Sequence, residues 1–146
     1  MSKYEAWSAE RAVEVIQPYA DLEGPLLPML HALQHAFGHV PDAAVPILAG
    51  LLNLSRADVH GVVTFYHDYK RVPADRPVVK LCRAEACQAR GVEALAPLFE
   101  TDERIEVETV YCLGLCASGP SAMVGDRLFA RLDEGSARRL IGEVAA

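Results

Sequence analysis

None of the 146 residues falls in an apolar run that approaches the roughly 20 consecutive positions a membrane helix needs. Basic residues are also short: 14 lysines and arginines against 20 aspartates and glutamates, a formal charge of −6. With no Lys/Arg run, the chain lacks the electrostatic footprint of a nucleic-acid binder, and direct membrane insertion is excluded in the same way. It also lacks a glycine loop for phosphate, a nucleophile–base arrangement and a paired-carboxylate motif, so no substrate site of its own is expected. There is no internal repeat and no low-complexity tract. The opening residues MSKYEAWSAE have no apolar core of the kind a secretory signal carries, so a cytoplasmic protein is expected. Cysteine is scarce too, at four residues. In a reducing compartment those four are poor material for two structural disulfides.

What is present divides in two. Hydrophobic residues make up 51% of the chain and charged residues 23%, enough apolar material for a folded core. Up to about Val72 the pattern is helix after helix. Ser8 caps a first helix carrying Ala12, Val13, Val15 and Ile16, which Pro18 ends. Pro25 or Pro28 opens a second, with Leu26, Leu27, Leu30, Leu33 and Phe37 as its apolar stripe and Gly38 as its stop. Asp42 starts a third through Ile47, Leu48, Leu51 and Leu52. Ser55 and Asp58 form a capping box for a fourth, bearing Val59, Val62, Val63 and Phe65. The polar, proline-interrupted segment from Lys70 to Pro77 then marks a boundary. The reading is an N-terminal helical domain, 1–72, and a second domain, 73–146.

In the second domain Pro77 to Leu81 reads as a short strand and Gln88 to Phe99 as a helix. From Arg104 to Tyr111 polar and apolar residues alternate, the period of a half-buried strand. Ser121–Val124 and Arg127–Arg131 flank Gly125-Asp126, a two-residue hairpin turn, and Ser136 begins a last helix with Leu140, Ile141 and Val144. The order β-α-β-β-β-α fits a compact α/β domain of thioredoxin-like outline.

The four cysteines concentrate the chemistry. Cys82 and Cys87 form one tight pair, Cys112 and Cys116 another, each where a strand runs out into a loop. Two soft ligands close together, twice, describe a site that grips metal. A two-iron cluster takes two thiolates on each iron. A loop of three or four intervening residues can point both its ends at one tetrahedral iron. If the strands before Cys82 and Cys112 are parallel neighbours, both loops emerge at one edge. Gly114 and Gly119 let backbone approach sulfur. A helix starting after Cys87 would place its N-terminal dipole near a thiolate, and Arg83 and Arg90 lie near enough in sequence to offset charge. Four cysteines also suit structural zinc, although neither pair has the two-residue knuckle of most zinc ribbons, and unligated thiols stay open as well. The spacing does not match the plant-type ferredoxin pattern, and a direct thiol-redox role lacks the two-residue thioredoxin motif.

Two stretches carry a family likeness: LCRAEACQARG, Leu81 to Gly91, and VYCLGLCASGPSAM, Val110 to Met123. With their Cys-x₄-Cys and Cys-x₃-Cys pairs and Pro120 beyond the last cysteine, they resemble the thioredoxin-like [2Fe-2S] ferredoxin family, the 24 kDa subunit of NADH:quinone oxidoreductase and its relatives. GPLLPMLHALQHAFGHVPDAAV and LSRADVHGVVTFYHDYK resemble the family's helical domain, so the likeness spans nearly the whole chain. Within the family, RAEACQA, HGVVTFYHD and CLGLCA look most like the gamma subunit of soluble NAD-dependent formate dehydrogenase. The chain departs from the pattern between Cys87 and Cys112, where the family carries a longer segment with a Gly-rich turn. The resemblance implies a single [2Fe-2S] cluster on Cys82, Cys87, Cys112 and Cys116. It further implies a non-catalytic electron-transfer subunit packed beside an FMN/NAD-binding subunit, with a molybdenum/iron–sulfur subunit that oxidises formate. The equivalent subunit of respiratory NADH:quinone oxidoreductase or of an NAD-reducing hydrogenase is the alternative within the family; a Cys₄ zinc module is the alternative outside it.

Other residues invite weaker readings. His31, His35 and His39 recur every four positions, but Gly38 ends the helix before His39, so polar surface is the expected role. His60 and His67 flank Thr64-Phe65-Tyr66, a core-and-rim patch or a contact surface. Trp7 and Tyr4 cover the first helix or meet a partner.

Overall fold

The computed structural model describes residues 4–146, which form two compact units that meet in sequence at Pro73 and Ala74. In the first unit, α1 (Ala9–Ile16) begins at Ser8, whose hydroxyl accepts a hydrogen bond from the Arg11 amide at 3.1 Å. Pro18 does not stop the chain outright; it sits early in a 3₁₀ turn, Gln17–Tyr19, where a missing N–H is tolerated. Helix α2 (Leu26–Phe37) follows Pro25 and closes on Gly38 at φ 75°, the left-handed cap that favours glycine. Helix α3 (Ala44–Leu52) starts two residues later than Asp42, because the Asp42 carboxylate pairs with Arg71 and no side chain caps the helix. Helix α4 (Arg56–Phe65) has the expected capping box: Ser55 Oγ accepts from Asp58 N, and the Asp58 carboxylate accepts from Ser55 N.

Ile16, Met29, Leu30, Leu33, Phe37, Leu48, Val59 and Val63 form the core of this unit. Trp7 packs edge-on against Phe37 with ring centroids 5.0 Å apart, so it covers the helices rather than standing free. Gln34 ties the end of the unit back to α2: its Nε2 donates to Asp68 O at 2.6 Å and its Oε1 accepts from Lys70 N at 2.7 Å. Phe65 departs from the sequence reading. The buried positions of α4 are Val59 and Val63, four apart, and Phe65 falls two residues and about 200° further round, leaving it 75% exposed.

The second unit is a four-stranded mixed sheet with helices. Its elements are β1 (Val78–Cys82), α5 (Glu85–Ala89), α6 (Val92–Glu100), β2 (Glu106–Val110), a 3₁₀ turn (Cys116–Ser118), β3 (Ala122–Val124), β4 (Arg127–Phe129) and α7 (Glu134–Ala145). The sheet order is β2-β1-β3-β4. Strands β1 and β2 are parallel neighbours, in register from Val78 opposite Glu106 to Cys82 opposite Val110. Strand β1 is antiparallel to β3, and β3 returns as β4 through the two-residue turn Gly125-Asp126. Val79 and Leu81 of the central strand are fully buried against a core that includes Val92, Phe99, Leu140 and Ile141. This is the α/β class read from the sequence. Among the described residues no helix is long and apolar enough to cross a membrane.

Three local expectations change. The single helix Gln88–Phe99 is two helices, broken where Gly91 turns to φ 91°. Ser136 does not begin α7; Asp133 caps it, and Ser136 returns the bond from the third position. The alternation of β2 breaks at Glu108, which is half-buried: Ile105 is buried and Val107 half-buried as expected, but Thr109 is exposed and Tyr111 is 76% exposed.

Candidate metal centre

The parallel pairing decides where the sulfurs emerge. Cys82 is the last residue of β1, opposite Val110, and Cys112 stands two residues past Val110, so the first lies at and the second just beyond the carboxyl ends of adjacent parallel strands. Arg83 N donates to Val110 O at 2.9 Å, and Cys82 N donates to Ser121 O at 3.0 Å, which fastens the first loop to the second and to β3. Cys87 sits inside the five-residue helix α5, not ahead of a long one, so the helix dipole expected from sequence is not aimed at it. Cys116 opens the 3₁₀ turn.

The four sulfurs fall into two couples with opposite exposure. Cys82 and Cys87 are each 2% exposed, whereas Cys112 and Cys116 are exposed. In the outer couple the sulfurs lie 3.4 Å apart, far beyond a disulfide bond. A tetrahedral metal bonded to sulfur at about 2.3 Å holds two of its sulfurs about 3.8 Å apart, so the spacing fits shared ligation. In the inner couple the Cys87 thiol helps to hold the Cys82 thiol below its ordinary range. The couples act on each other electrostatically: the N–H groups of Cys112 and Leu113 favour charge on the Cys82 sulfur, and the charge of Cys87 opposes charge on Cys116. Among the described residues, however, no three His, Cys, Asp or Glu side chains are gathered as one metal ion would require. A two-iron core takes two thiolates on each iron.

Backbone geometry serves the sulfurs. Cys112 has φ 91°, a strained value for a residue with a side chain. Gly114, at φ 78°, aims its N–H at Cys112 Sγ, 3.3 Å away. Gly119 has an ordinary extended backbone, but a Cβ there would stand 2.9 Å from Cys87 Sγ and 3.3 Å from Arg90 Cδ. Its glycine is required by a close approach and not by dihedral freedom. Burial pushes the Cys82 thiol up, but the N–H groups of Ala84, Cys112 and Leu113 and the Cys87 thiol outweigh it and hold Cys82 below the ordinary thiol range. Cys116 is pushed the other way, first by its hydrogen bond with Cys112 and then by that neighbour's charge. Arg83 does not offset charge at the sulfurs: its guanidinium is held by Glu93 and by Glu100, the latter at 2.7 Å. Elsewhere, of the histidines spaced by four, His39 lies beyond the end of α2 at Gly38, with Nδ1 2.9 Å from Phe37 O, and the His31 ring lies tilted at 54° against Tyr69.

Residues 12–145 match the family described as thioredoxin-like [2Fe-2S] ferredoxin. The chain belongs to that family. The cofactor of this ferredoxin is therefore a [2Fe-2S] cluster, and the zinc reading falls away. Among curated relatives, a component of the NADH-quinone oxidoreductase of Escherichia coli K12 is 30% identical over 142 residues, which cover 88% of this chain and 86% of that one. The NADP-reducing hydrogenase subunit HndA of Solidesulfovibrio fructosivorans is 28% identical over 142 residues, covering 90% and 83%. A crystal structure of an NAD⁺-reducing [NiFe]-hydrogenase in the H₂-reduced state has the same fold, with a TM-score of 0.66 and 24% identity over 82% of this chain. The ferredoxin spans 22% of that solved chain, about a fifth of its length.

Ser121 carries no signal in the sequence, yet it belongs to the site. It is fully buried and its Oγ lies 3.6 Å from Cys87 Sγ. The spacing of the cysteines does not point to it, since it lies five residues past Cys116.

Proposed function

We propose that Cys82, Cys87, Cys112 and Cys116 are the four ligands of the [2Fe-2S] cluster, one couple to each iron. The observation that carries the reading is the emergence of both couples at one end of the parallel β1–β2 pair, with 3.4 Å between the outer sulfurs. When bound, the cluster supplies storage of a single electron. The chain's own residues hold it and set its surroundings. The buried couple keeps water from one half, the N–H of Gly114 and those of the Cys112–Leu113 turn favour thiolate charge, and the exposed couple opens the other half to a partner.

The ferredoxin then acts as an electron-transfer subunit, not a catalyst, in an NAD-linked oxidoreductase. The two relatives described above are named as parts of NADH- and NADP-linked enzymes, which supports that assignment. The partner is a subunit carrying FMN and the NAD site. A two-electron hydride carrier next to a one-electron site lets one electron of each pair be held or relayed. The two units serve as domains: the helical one for contact, where Phe65 and Tyr66 are exposed, and the α/β one for the cluster. Inside this class the parent complex is an NAD-dependent formate dehydrogenase with a molybdenum/iron–sulfur subunit; the wording RAEACQA, HGVVTFYHD and CLGLCA supports that choice. A cytoplasmic location fits four thiols used as ligands.

Anaerobic purification tests the ligands. The native protein is expected to be reddish-brown, to contain two irons and two sulfides per chain, and to bleach with dithionite. Cys82→Ala and Cys112→Ser each remove one of the four donors of one iron and are expected to lose most of the visible absorption. A native spectrum in either variant refutes the assignment. For the parent complex, metal analysis of the natively purified assembly is decisive: molybdenum supports formate dehydrogenase, nickel or a membrane arm overturns it.

A further inference from the structure

Ser121 is the one polar residue in the buried class among the described residues, at 0% exposure. A buried hydroxyl is expensive unless it is hydrogen-bonded. It follows Pro120 at the head of β3 and touches both inner cysteines. Its carbonyl accepts from Cys82 N at 3.0 Å, and its hydroxyl lies 3.6 Å from Cys87 Sγ, within the reach of a sulfur hydrogen bond. In the free protein either group can be the donor. Once Cys87 is a ligand it is a thiolate without a proton, so only the hydroxyl can donate.

We infer that Ser121 is a positioning residue that sets the reduction potential of the cluster through an O–H···S bond to Cys87. This rests on Cys87 being a ligand. The reduced cluster places more negative charge on its sulfurs than the oxidised one, so a fixed donor stabilises the reduced state more and raises the potential. The setting amplifies the effect. Cys87 and Ser121 are both sealed from water, where hydrogen bonds to charged groups are strongest and no solvent replaces a lost donor. The outer couple has solvent as an alternative donor; the Cys87 sulfur has Ser121.

The test is redox titration of anaerobically purified Ser121→Ala, Ser121→Thr and native protein, with iron and sulfide content measured alongside. Ser121→Ala is expected to keep two irons and two sulfides but to have a lower potential. At a fixed ambient potential its reduced-to-oxidised ratio falls about tenfold, equal to about 59 mV for a one-electron couple. Ser121→Thr, which keeps the hydroxyl, is expected to return towards the native value. A native potential in an intact Ser121→Ala cluster overturns the inference, as does a lowered potential that threonine leaves uncorrected. A purely structural hydroxyl would change cluster retention and leave the potential alone. Should alanine prevent assembly, resonance Raman spectra of native protein in H₂O and D₂O decide: iron–sulfur bands that do not move on exchange overturn the inference, and bands that move support it. Cys87→Ala separates the two levels. A native spectrum there removes the ligand reading itself, whereas cluster loss there with an unshifted Ser121→Ala removes only the role of the serine.

Discussion

Replacing Gly119 by alanine isolates the effect of crowding one sulfur of the proposed ligand set. The backbone there is extended, φ −72° and ψ 167°, so alanine adopts it without strain. The added methyl would stand 2.9 Å from Cys87 Sγ and 3.5 Å from Cys87 Cα, well inside the roughly 3.5–4.0 Å optimum for non-bonded contact at the sulfur. In the apoprotein the thiol can turn aside and Arg90, an exposed side chain, can swing away. With Cys87 bound to iron the sulfur is fixed, and the clash must be absorbed by α5 or by the loop itself. Overpacking of this kind costs about 1–3 kcal/mol. Falling on the cluster-bound form, it lowers the holo-to-apo ratio about 5- to 150-fold. The assay is loss of visible absorption under an iron chelator, anaerobically, with far-ultraviolet circular dichroism of the apoprotein as control. Gly119→Ala is expected to bleach at lower chelator concentration while its apoprotein keeps native ellipticity. Equal chelator resistance in variant and native protein refutes the steric argument and, with it, the placement of Cys87 as a ligand beside Gly119.

Two further outcomes follow from the fold. Leu81, fully buried on the central strand next to Cys82, is expected to lose about 2–5 kcal/mol of stability on change to alanine, read as a lowered urea midpoint with unchanged slope; a midpoint within error of native would contradict its place in the core. Asp102 is held at about 2 by Arg104, first through side-chain hydrogen bonds. Its folded value lies below the ordinary carboxylate range near 4, so its stabilisation is full above that range and is lost as pH falls towards 2. Asp102→Asn should therefore narrow the gap between urea midpoints at pH 5 and pH 2.5, and an unchanged gap would refute the pairing.

Much of this molecule is legible in its sequence because the signals are local. Ser8, Gly38 and the Ser55–Asp58 box mark helix ends by chemistry that acts within four residues, and each appears where the sequence places it. The parallel β1–β2 pair is legible only as a condition, since register is a long-range property, yet the ligand couples depend on it. The misreadings share one cause. Asp42 reads as a helix start because the competing partner, Arg71, is 29 residues away. Arg83 reads as a counter-charge because Glu93 and Glu100 come to it only when α6 folds back. Gly91 reads as part of one helix because the hydrophobic spacing from Val92 to Phe99 overrides a single glycine on paper but not in the chain. Ser121 is invisible for the same reason: its meaning comes from Cys87, 34 residues earlier.

The asymmetry of the two couples assigns them different work. The inner couple is built from regular structure: a strand end, a helix and a buried serine, each held by core packing around Val79, Leu81 and Val92. Such a frame resists displacement, which suits the proposed ligation, where geometry must not change as charge comes and goes. The outer couple is built from a loop that carries its strain at Cys112, φ 91°, and its turn at Gly114, φ 78°, with Tyr111 standing exposed beside it. Strain of about 1–3 kcal/mol in an exposed residue persists only where something over-determines the loop. Here the fastening bonds are Arg83 N to Val110 O on one side and Arg131 N to Ser118 O at 2.6 Å on the other, with Ser118 N to Leu115 O at 2.9 Å and Gly114 N to Cys112 Sγ at 3.3 Å inside the loop. The outer loop is accordingly the exposed part of the site, the part that a partner subunit would meet.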